Sequence, residues 1–129
     1  MQILVLGGTG WLGRTIAEVA LQRGHAVTVT SRGLRGEWPR GAEHVTLDRT
    51  GEGAMREMAH RTWDAVVDIG RQPGQVQEST LALANPHTRY VFVSSCSVYA
   101  THDVIGATES TPLLPPFAGE TFDTMEHYG

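Results

Sequence analysis

Three glycines spaced three residues apart follow directly on a short apolar run near the start of the chain. The run is Gln2 to Leu6, and Gly7-Gly8-Thr9-Gly10-Trp11-Leu12-Gly13 comes next. At a junction of strand and helix, such glycines allow a tight turn, a close approach of bare backbone to a ligand, and close packing of helix on strand. A turn alone would not need all three. The free N–H groups of the first helical turn suit a pyrophosphate, so the predicted ligand contacts are Gly7, Thr9, Gly10, Trp11, Leu12 and Gly13.

Strand-like and helix-like segments alternate beyond this turn. Helical spacing of apolar residues predicts helices over residues 10–23, 52–61 and 76–84. Short apolar runs predict strands over residues 2–6, 26–30, 44–47, 63–69 and 90–94. This alternation is typical of a parallel sheet covered on both faces, so we predict an α/β fold with a doubly wound parallel sheet, the Rossmann-type NAD(P)-binding fold.

The character of the sequence changes after residue 100. Prolines interrupt residues 109–117, and only residues 121–128 have the pattern of a further helix. We therefore expect residues 1–129 to form one dinucleotide-binding domain that is incomplete, truncated before the last strands and before a C-terminal substrate domain.

Composition narrows the class of protein. The formal net charge is −4 and the arginines are scattered, so no nucleic-acid partner is expected. No apolar run approaches the roughly 20 residues that cross a bilayer, and the N-terminal run has no basic leader, which predicts a cytoplasmic protein without a membrane partner. Cys96 is the single cysteine, and the histidines lack ligand spacing, so neither a disulfide nor a metal site is expected.

The choice of dinucleotide depends on the residues that follow the second predicted strand. An NAD enzyme carries a carboxylate there for the ribose 2′-hydroxyl, whereas this chain has Ser31 and Arg32. A guanidinium can pair with a 2′-phosphate, and the serine adds a hydroxyl donor. NADP(H) is therefore favoured and NAD(H) stays open, as does the alternative that Arg32 is a solvated loop residue.

These segments together resemble the extended and atypical short-chain dehydrogenase/reductases, in particular the N-terminal part of the NAD-dependent epimerase/dehydratase family. The resemblance covers nearly the whole chain. It rests on the glycine turn, on Ser31-Arg32-Gly33, on Asp48-Arg49, on the predicted strand at 63–68, and on residues 90–99, which contain an S-S-x-x-V-Y block.

The resemblance implies roles for several residues. Asp48 would accept a hydrogen bond from the adenine amino group with Arg49 beside it, and Ile69 and Gly70 would lie along the adenosine or ribose. Ser95 would take the catalytic serine position. Asp68 departs from the small or polar residue expected in the family motif, which leaves the contacts on the nicotinamide side open.

Tyr128 stands where the tyrosine of the family's Y-x-x-x-K motif is expected. A tyrosine hydroxyl needs nearby cations to exchange protons at neutral pH. The matching lysine would be residue 132, and the 129 residues contain no lysine, so we expect this chain alone to be inactive. At full length, the resemblance implies an NADP(H)-dependent oxidoreductase or epimerase acting on a carbonyl or secondary alcohol of a small molecule such as a sugar or natural product.

Simpler interpretations remain open. Ser95 could be a strand-end hydroxyl that caps local backbone, Tyr128 an ordinary helix-face aromatic, and Cys96 a packed thiol. The alternative function is a non-catalytic NADP-binding regulatory protein, and an RNA-associated relative is disfavoured by the acidic charge balance. Members of the family often pair through helices at the flank of the sheet, so a homodimer is an expected assembly.

Overall fold

The computed structural model describes residues 1–34, 36–103 and 105–121. These residues form a five-stranded parallel sheet with the strand order β3-β2-β1-β4-β5. The strands are β1 Gln2–Leu6, β2 Ala26–Ser31, β3 Glu43–Thr46, β4 Ala65–Asp68 and β5 Arg89–Phe92. The predicted doubly wound parallel sheet is confirmed.

Helices cover both faces of this sheet. Helix α1, Trp11–Gln22, packs on one face, and α2, Arg56–Ala59, lies on the other face with α3, Pro73–Leu83. A short 3₁₀ helix, Cys96–Val98, follows β5. No helix among the described residues is long and apolar enough to cross a membrane.

The central strand divides the core into two halves. Successive side chains of a strand point to opposite faces, so Val5 packs with Ala17 of α1 while Leu4 and Leu6 pack with Met58. Leu4, Val5 and Leu6 are all fully buried. A run that is apolar on both faces is what a covered parallel sheet requires, which explains why β1 has no polar alternation.

Two predicted helices have different bounds in the structure. The helix predicted over residues 52–61 is reduced to the four residues of α2, because turns occupy residues 52–55 and Gly53 adopts a positive φ of 70°. Helix α3 begins at Pro73 rather than at residue 76. Proline suits the first position of a helix because its missing N–H would have no partner there.

Candidate functional site

A crevice runs along the carboxyl ends of the strands, where the order of connection reverses between β1 and β4. In open α/β sheets ligands bind at such a reversal. Two adjoining cavities lie here, a first of 660 Å³ towards β2 and β3 and a second of 650 Å³ towards β5. They share Ile69, Gly70 and Arg71, which directly follow β4. The arrangement suits an elongated ligand that crosses β4.

The glycine turn forms one wall of the first cavity. Gly7 has a φ of 101°, and a Cβ on Gly13 would lie 2.3 Å from the Gly7 carbonyl oxygen, so the helix packs on the turn as closely as the sequence pattern predicts. Gly10 is the N-cap of α1, and nothing lies closer than 3.9 Å to the place where its Cβ would stand. Glycine offers no side chain to cap the helix, so the first N–H groups of α1 fit an anionic phosphate.

Ser31 and Arg32 line the first cavity at the end of β2. The Arg32 side chain is exposed, and Ser31 is half-buried. The Ser31 hydroxyl accepts a hydrogen bond of 3.2 Å from the Gly33 N–H and lies 2.8 Å from His44 Nε2. The structure therefore brings a cation and an ordered hydroxyl to the position where an NAD enzyme would carry a carboxylate.

Asp48 stands at the exposed edge of the same cavity. Its Oδ1 accepts hydrogen bonds from the Thr50 N–H at 3.0 Å and from Thr50 Oγ1 at 2.8 Å. These hydrogen bonds lower the pKa of Asp48 from its ordinary value, and the bond from the backbone N–H of Thr50 has the largest effect. The positive charge of Arg32 lowers the pKa further. The carboxylate is thus held ionised, as an acceptor from an amino group needs to be.

Arg49 also lines the first cavity, but its guanidinium points away from the cavity towards buried polar groups. It donates to both oxygens of Asp68, at 2.7 and 2.8 Å, and to Ser79 Oγ at 2.5 Å. The Asp68 side chain is fully buried and that of Arg49 is 12% exposed. The Gly70 N–H donates to the same carboxylate at 2.7 Å, so this ion pair holds the segment that the two cavities share.

Tyr90 of β5 completes the network. Its hydroxyl donates to Asp68 Oδ2 at 2.6 Å. Burial raises the pKa of Tyr90 to about 12, and the hydrogen bond to Asp68 adds to the increase. A phenol with a raised pKa stays protonated, which suits a structural donor.

Ser95 lines the second cavity together with aromatic side chains. Its Oγ accepts from the Ser97 N–H at 3.2 Å and donates to Ser97 Oγ at 3.1 Å, so it caps the 3₁₀ helix. Trp11 at 81% exposure forms part of the opposite wall. Tyr128, the predicted partner of Ser95, lies outside the described residues.

Sequence reasoning missed Arg71. This exposed arginine lines both cavities, so it lies close to the point where a ligand would pass from one to the other. A signal was present: a cation that follows Ile69-Gly70 at the end of a predicted parallel strand falls at the ligand-binding edge of the sheet. The sequence holds no comparable signal for Ser79 or His44. Ser79 bonds to Arg49 and His44 to Ser31, and each of these partners lies on another element.

The chain is similar to a known protein family, to a curated plant protein and to several solved structures. A model of the NAD dependent epimerase/dehydratase family matches residues 3–82. Among curated proteins, the chloroplast stem-loop binding protein of 41 kDa b from Arabidopsis thaliana is 25% identical, over 88% of this chain and 34% of that protein.

The solved structures show the same fold. A UDP-galactose 4-epimerase superposes with a TM-score of 0.70 at 24% identity, covering 89% of this chain and 45% of that one. A short-chain dehydrogenase/reductase superfamily protein from Agrobacterium tumefaciens, solved with bound NAD, gives 0.73 at 22% identity over 89% and 39%. UDP-glucose 4-epimerase from Thermus thermophilus, in complex with NAD, gives 0.67 at 21% identity over 90% and 45%. The chain thus spans less than half the length of each of these relatives.

Proposed function

This chain belongs to the NAD dependent epimerase/dehydratase family, and from that premise we propose that it serves an NADP(H)-dependent oxidoreductase or epimerase acting on a carbonyl or secondary alcohol of a small molecule such as a sugar or natural product. The observation that carries the proposal is the crevice itself. An uncapped helix N-terminus, an open glycine and Arg32 line one continuous edge of the sheet. This combination fits a dinucleotide with an additional phosphate.

The proposed binding mode follows the first cavity. The N–H groups at the start of α1 would hold the pyrophosphate, and Asp48 would accept a hydrogen bond from the adenine amino group. Ile69 and Gly70 would contact the adenosine or ribose. Arg32 and Ser31 would donate to the 2′-phosphate, since charge-assisted bonds to phosphate are the strong ones. NAD(H) would lack that phosphate and bind more weakly.

The proposed chemistry takes place in the second cavity. When bound there, the nicotinamide ring supplies hydride transfer. Ser95 would orient the substrate oxygen, and Tyr128 would remove or return its proton. A tyrosine with an ordinary pKa near 10 exchanges protons poorly at neutral pH, so the reaction needs the family's lysine four positions after Tyr128. The 129 residues contain no lysine, and we propose that they bind nucleotide weakly and do not catalyse the reaction alone.

Exchange of a single arginine tests the cofactor assignment. We expect the wild-type protein to bind NADPH more tightly than NADH, and Arg32→Asp to lose about 10-fold to 100-fold in NADPH affinity, because a charge-assisted bond contributes about 1.5–3 kcal/mol. Titration of both dinucleotides by calorimetry measures this. Arg89→Asp is the matched control. Arg89 is an exposed arginine at the start of β5, whereas the crevice lies at the carboxyl ends of the strands. An unchanged affinity ratio in Arg32→Asp would remove Arg32 from its role.

A second candidate function is a non-catalytic NADP-binding regulatory protein. The hydrogen bonds of Ser95 favour it, because its hydroxyl already donates to Ser97 and caps backbone. The two candidates differ in turnover. A full-length protein that binds NADPH but neither oxidises it with a carbonyl substrate nor converts a sugar nucleotide into its epimer would support the regulator, whereas either reaction by the 129-residue chain would contradict the proposed need for further residues.

The partners we propose are a small-molecule substrate and a second copy of the chain in a homodimer, in the cytoplasm, without nucleic acid or membrane. The Arabidopsis relative is named for stem-loop binding, but this chain has a net charge of −4, which disfavours a polyanion. Titration with a stem-loop RNA at low salt should give no saturable binding, and saturable binding would reverse this part of the proposal.

A further inference from the structure

A histidine, a serine and a tryptophan form a small cluster beside Arg32. Ser31 ends β2, and His44 lies on the neighbouring strand β3, opposite Val29 rather than opposite Ser31. The His44 ring stacks on Trp38 with centroids 3.9 Å apart and planes 9° from parallel. The stack holds the imidazole in the orientation that places its Nε2 2.8 Å from the Ser31 hydroxyl.

The hydrogen-bonding capacity of Ser31 is almost filled by this cluster. A serine hydroxyl has one O–H donor and two acceptor lone pairs. The Gly33 N–H uses one lone pair. When His44 Nε2 carries a hydrogen, it donates to the second lone pair, and the serine O–H remains to be donated into the first cavity. When Nε2 has no hydrogen, the serine O–H is donated to His44 instead, and the cavity faces an acceptor.

The state of His44 therefore determines which ligand group Ser31 can meet. A phosphate dianion offers only acceptors, so it requires the hydroxyl as a donor. An imidazole with its hydrogen on Nε2 donates to the serine oxygen and leaves the serine O–H for that phosphate.

We infer that His44 is a positioning residue that makes Ser31 a donor to the 2′-phosphate of NADP(H), and that Trp38 holds His44 for this purpose. The inference rests on the proposed function, because it needs a dinucleotide in the first cavity. It assigns preference between NADPH and NADH to a residue that does not itself line that cavity.

Affinity ratios for the two dinucleotides test this assignment. We expect Ser31→Ala to reduce the preference for NADPH over NADH about fivefold to tenfold, as loss of one hydrogen bond does, with NADH affinity unchanged. His44→Leu should reduce it by a smaller factor, because the serine keeps its O–H but loses the partner that fixes the direction of that O–H. The double variant should lose no more than Ser31→Ala alone, because His44 acts only through Ser31. His44→Gln, whose amide can donate to Ser31, should recover most of the preference, and His87→Leu, an exposed histidine elsewhere, should leave it intact.

The outcomes separate the inference from the function on which it rests. A wild-type protein that prefers NADPH, together with a His44→Leu variant that keeps the same preference, would overturn the role of His44 and leave the cofactor assignment standing. A wild-type protein without NADPH preference would overturn both. If His44→Leu fails to fold, His44→Ala takes its place, and a preference that is lost in Ser31→Ala but unchanged in His44→Ala would overturn the role of His44.

Discussion

Two glycines of the same turn differ in what a methyl group would meet. At Gly13 an added Cβ would lie 2.3 Å from a backbone oxygen, whereas at Gly10 the space is open. One position therefore serves the packing of α1 on the turn, and the other serves whatever approaches from the crevice. The sequence pattern predicts close packing at Gly13 and a close ligand approach at Gly10; the structure shows the first, and the second stays a prediction.

Alanine at each position should reveal this division. We expect Gly13→Ala to lower the free energy of unfolding by about 1–3 kcal/mol, as overpacking does. Gly10→Ala should cost only about 0.5 kcal/mol as a poorer helix cap, yet weaken NADPH binding, because its methyl group stands where the phosphate would approach. Urea unfolding and dinucleotide titration measure the two effects. Equal losses of stability in both variants would contradict the assignment.

Tyr90 gives the chain a dependence on alkaline pH. Its pKa is raised to about 12 in the folded state, against about 10 in an unfolded chain. Between these values the unfolded state has released the proton and the folded state retains it, so the stability that is present below pH 10 is lost as pH rises towards 12. Without lysine in the sequence, tyrosines are the side chains that titrate in this window.

We expect the free energy of unfolding to fall by about 1 kcal/mol between pH 9.5 and 11.5, less than the pKa difference alone would give, because solvent screens a half-buried hydroxyl. Urea unfolding at several pH values measures it. Tyr90→Phe is the control, because it lacks the titrating hydroxyl and should show a smaller decline over the same range. Parallel declines in the two proteins would assign the effect to other groups.

At the scale of elements, one buried ion pair connects three of them. Arg49 follows β3, Asp68 ends β4, and Ser79 lies on α3. Arg49 Nε has no hydrogen-bond partner among the described residues, so the arginine is held mainly through its terminal nitrogens. Removal of the carboxylate would leave a guanidinium enclosed without its counter-charge.

Asp68→Asn should therefore lower the free energy of unfolding by about 3–5 kcal/mol, the usual cost of breaking a buried pair. Glu18→Gln provides the comparison, because it removes an exposed ion pair with Arg14 within α1 and should change the free energy of unfolding far less. Thermal or urea unfolding of the two variants measures the difference. A small effect at Asp68 would mean that water reaches Arg49 and replaces the carboxylate.

Local signals explain which elements could be predicted from sequence. The bounds of β1 and α1 follow from an apolar run and from glycines a few residues away. The shortened α2 could not be predicted from the apolar pattern. Met55 and Met58 are buried at helical spacing, which predicts a longer helix, but only residues 56–59 are helical.

The same limit applies to the candidate site. Ser31 and Asp48, which were predicted to contact the cofactor, both line the crevice, and their contact with a cofactor stays a prediction. The orientation of Arg49 could not be predicted, because the carboxylate that turns it is 19 positions away on another strand. The direction of a side chain depends on the residues that contact it in the folded protein, and a single sequence does not show which distant residues will be in contact.

At the scale of the whole molecule, a bound dinucleotide should act on the stability of the entire fold. The crevice is lined by residues at, or directly after, the carboxyl ends of all five strands and by residues at the start of α1. We expect NADPH at 100 times its Kd to add about 2.7 kcal/mol to the free energy of unfolding and to raise the Tm by on the order of 10 °C. Thermal unfolding measures the shift. Nicotinamide mononucleotide, which lacks the adenosine half, should give a much smaller shift, and no shift with either dinucleotide would mean that the chain does not bind it and would contradict the proposed cofactor.

The position of β1 has a consequence for how the protein is made. Of the five strands that the structure describes, β1 is synthesised first, and it is the middle strand, with β2 and β4 as its neighbours. Ile3 pairs with Ala65, so one side of β1 waits for about sixty more residues, roughly 3–12 s of synthesis at typical rates. Through that interval the apolar residues 3–6 of β1 have a strand partner on one side only. Because the middle strand is made before one of its neighbours, we expect the chain to depend on chaperones during translation rather than after release.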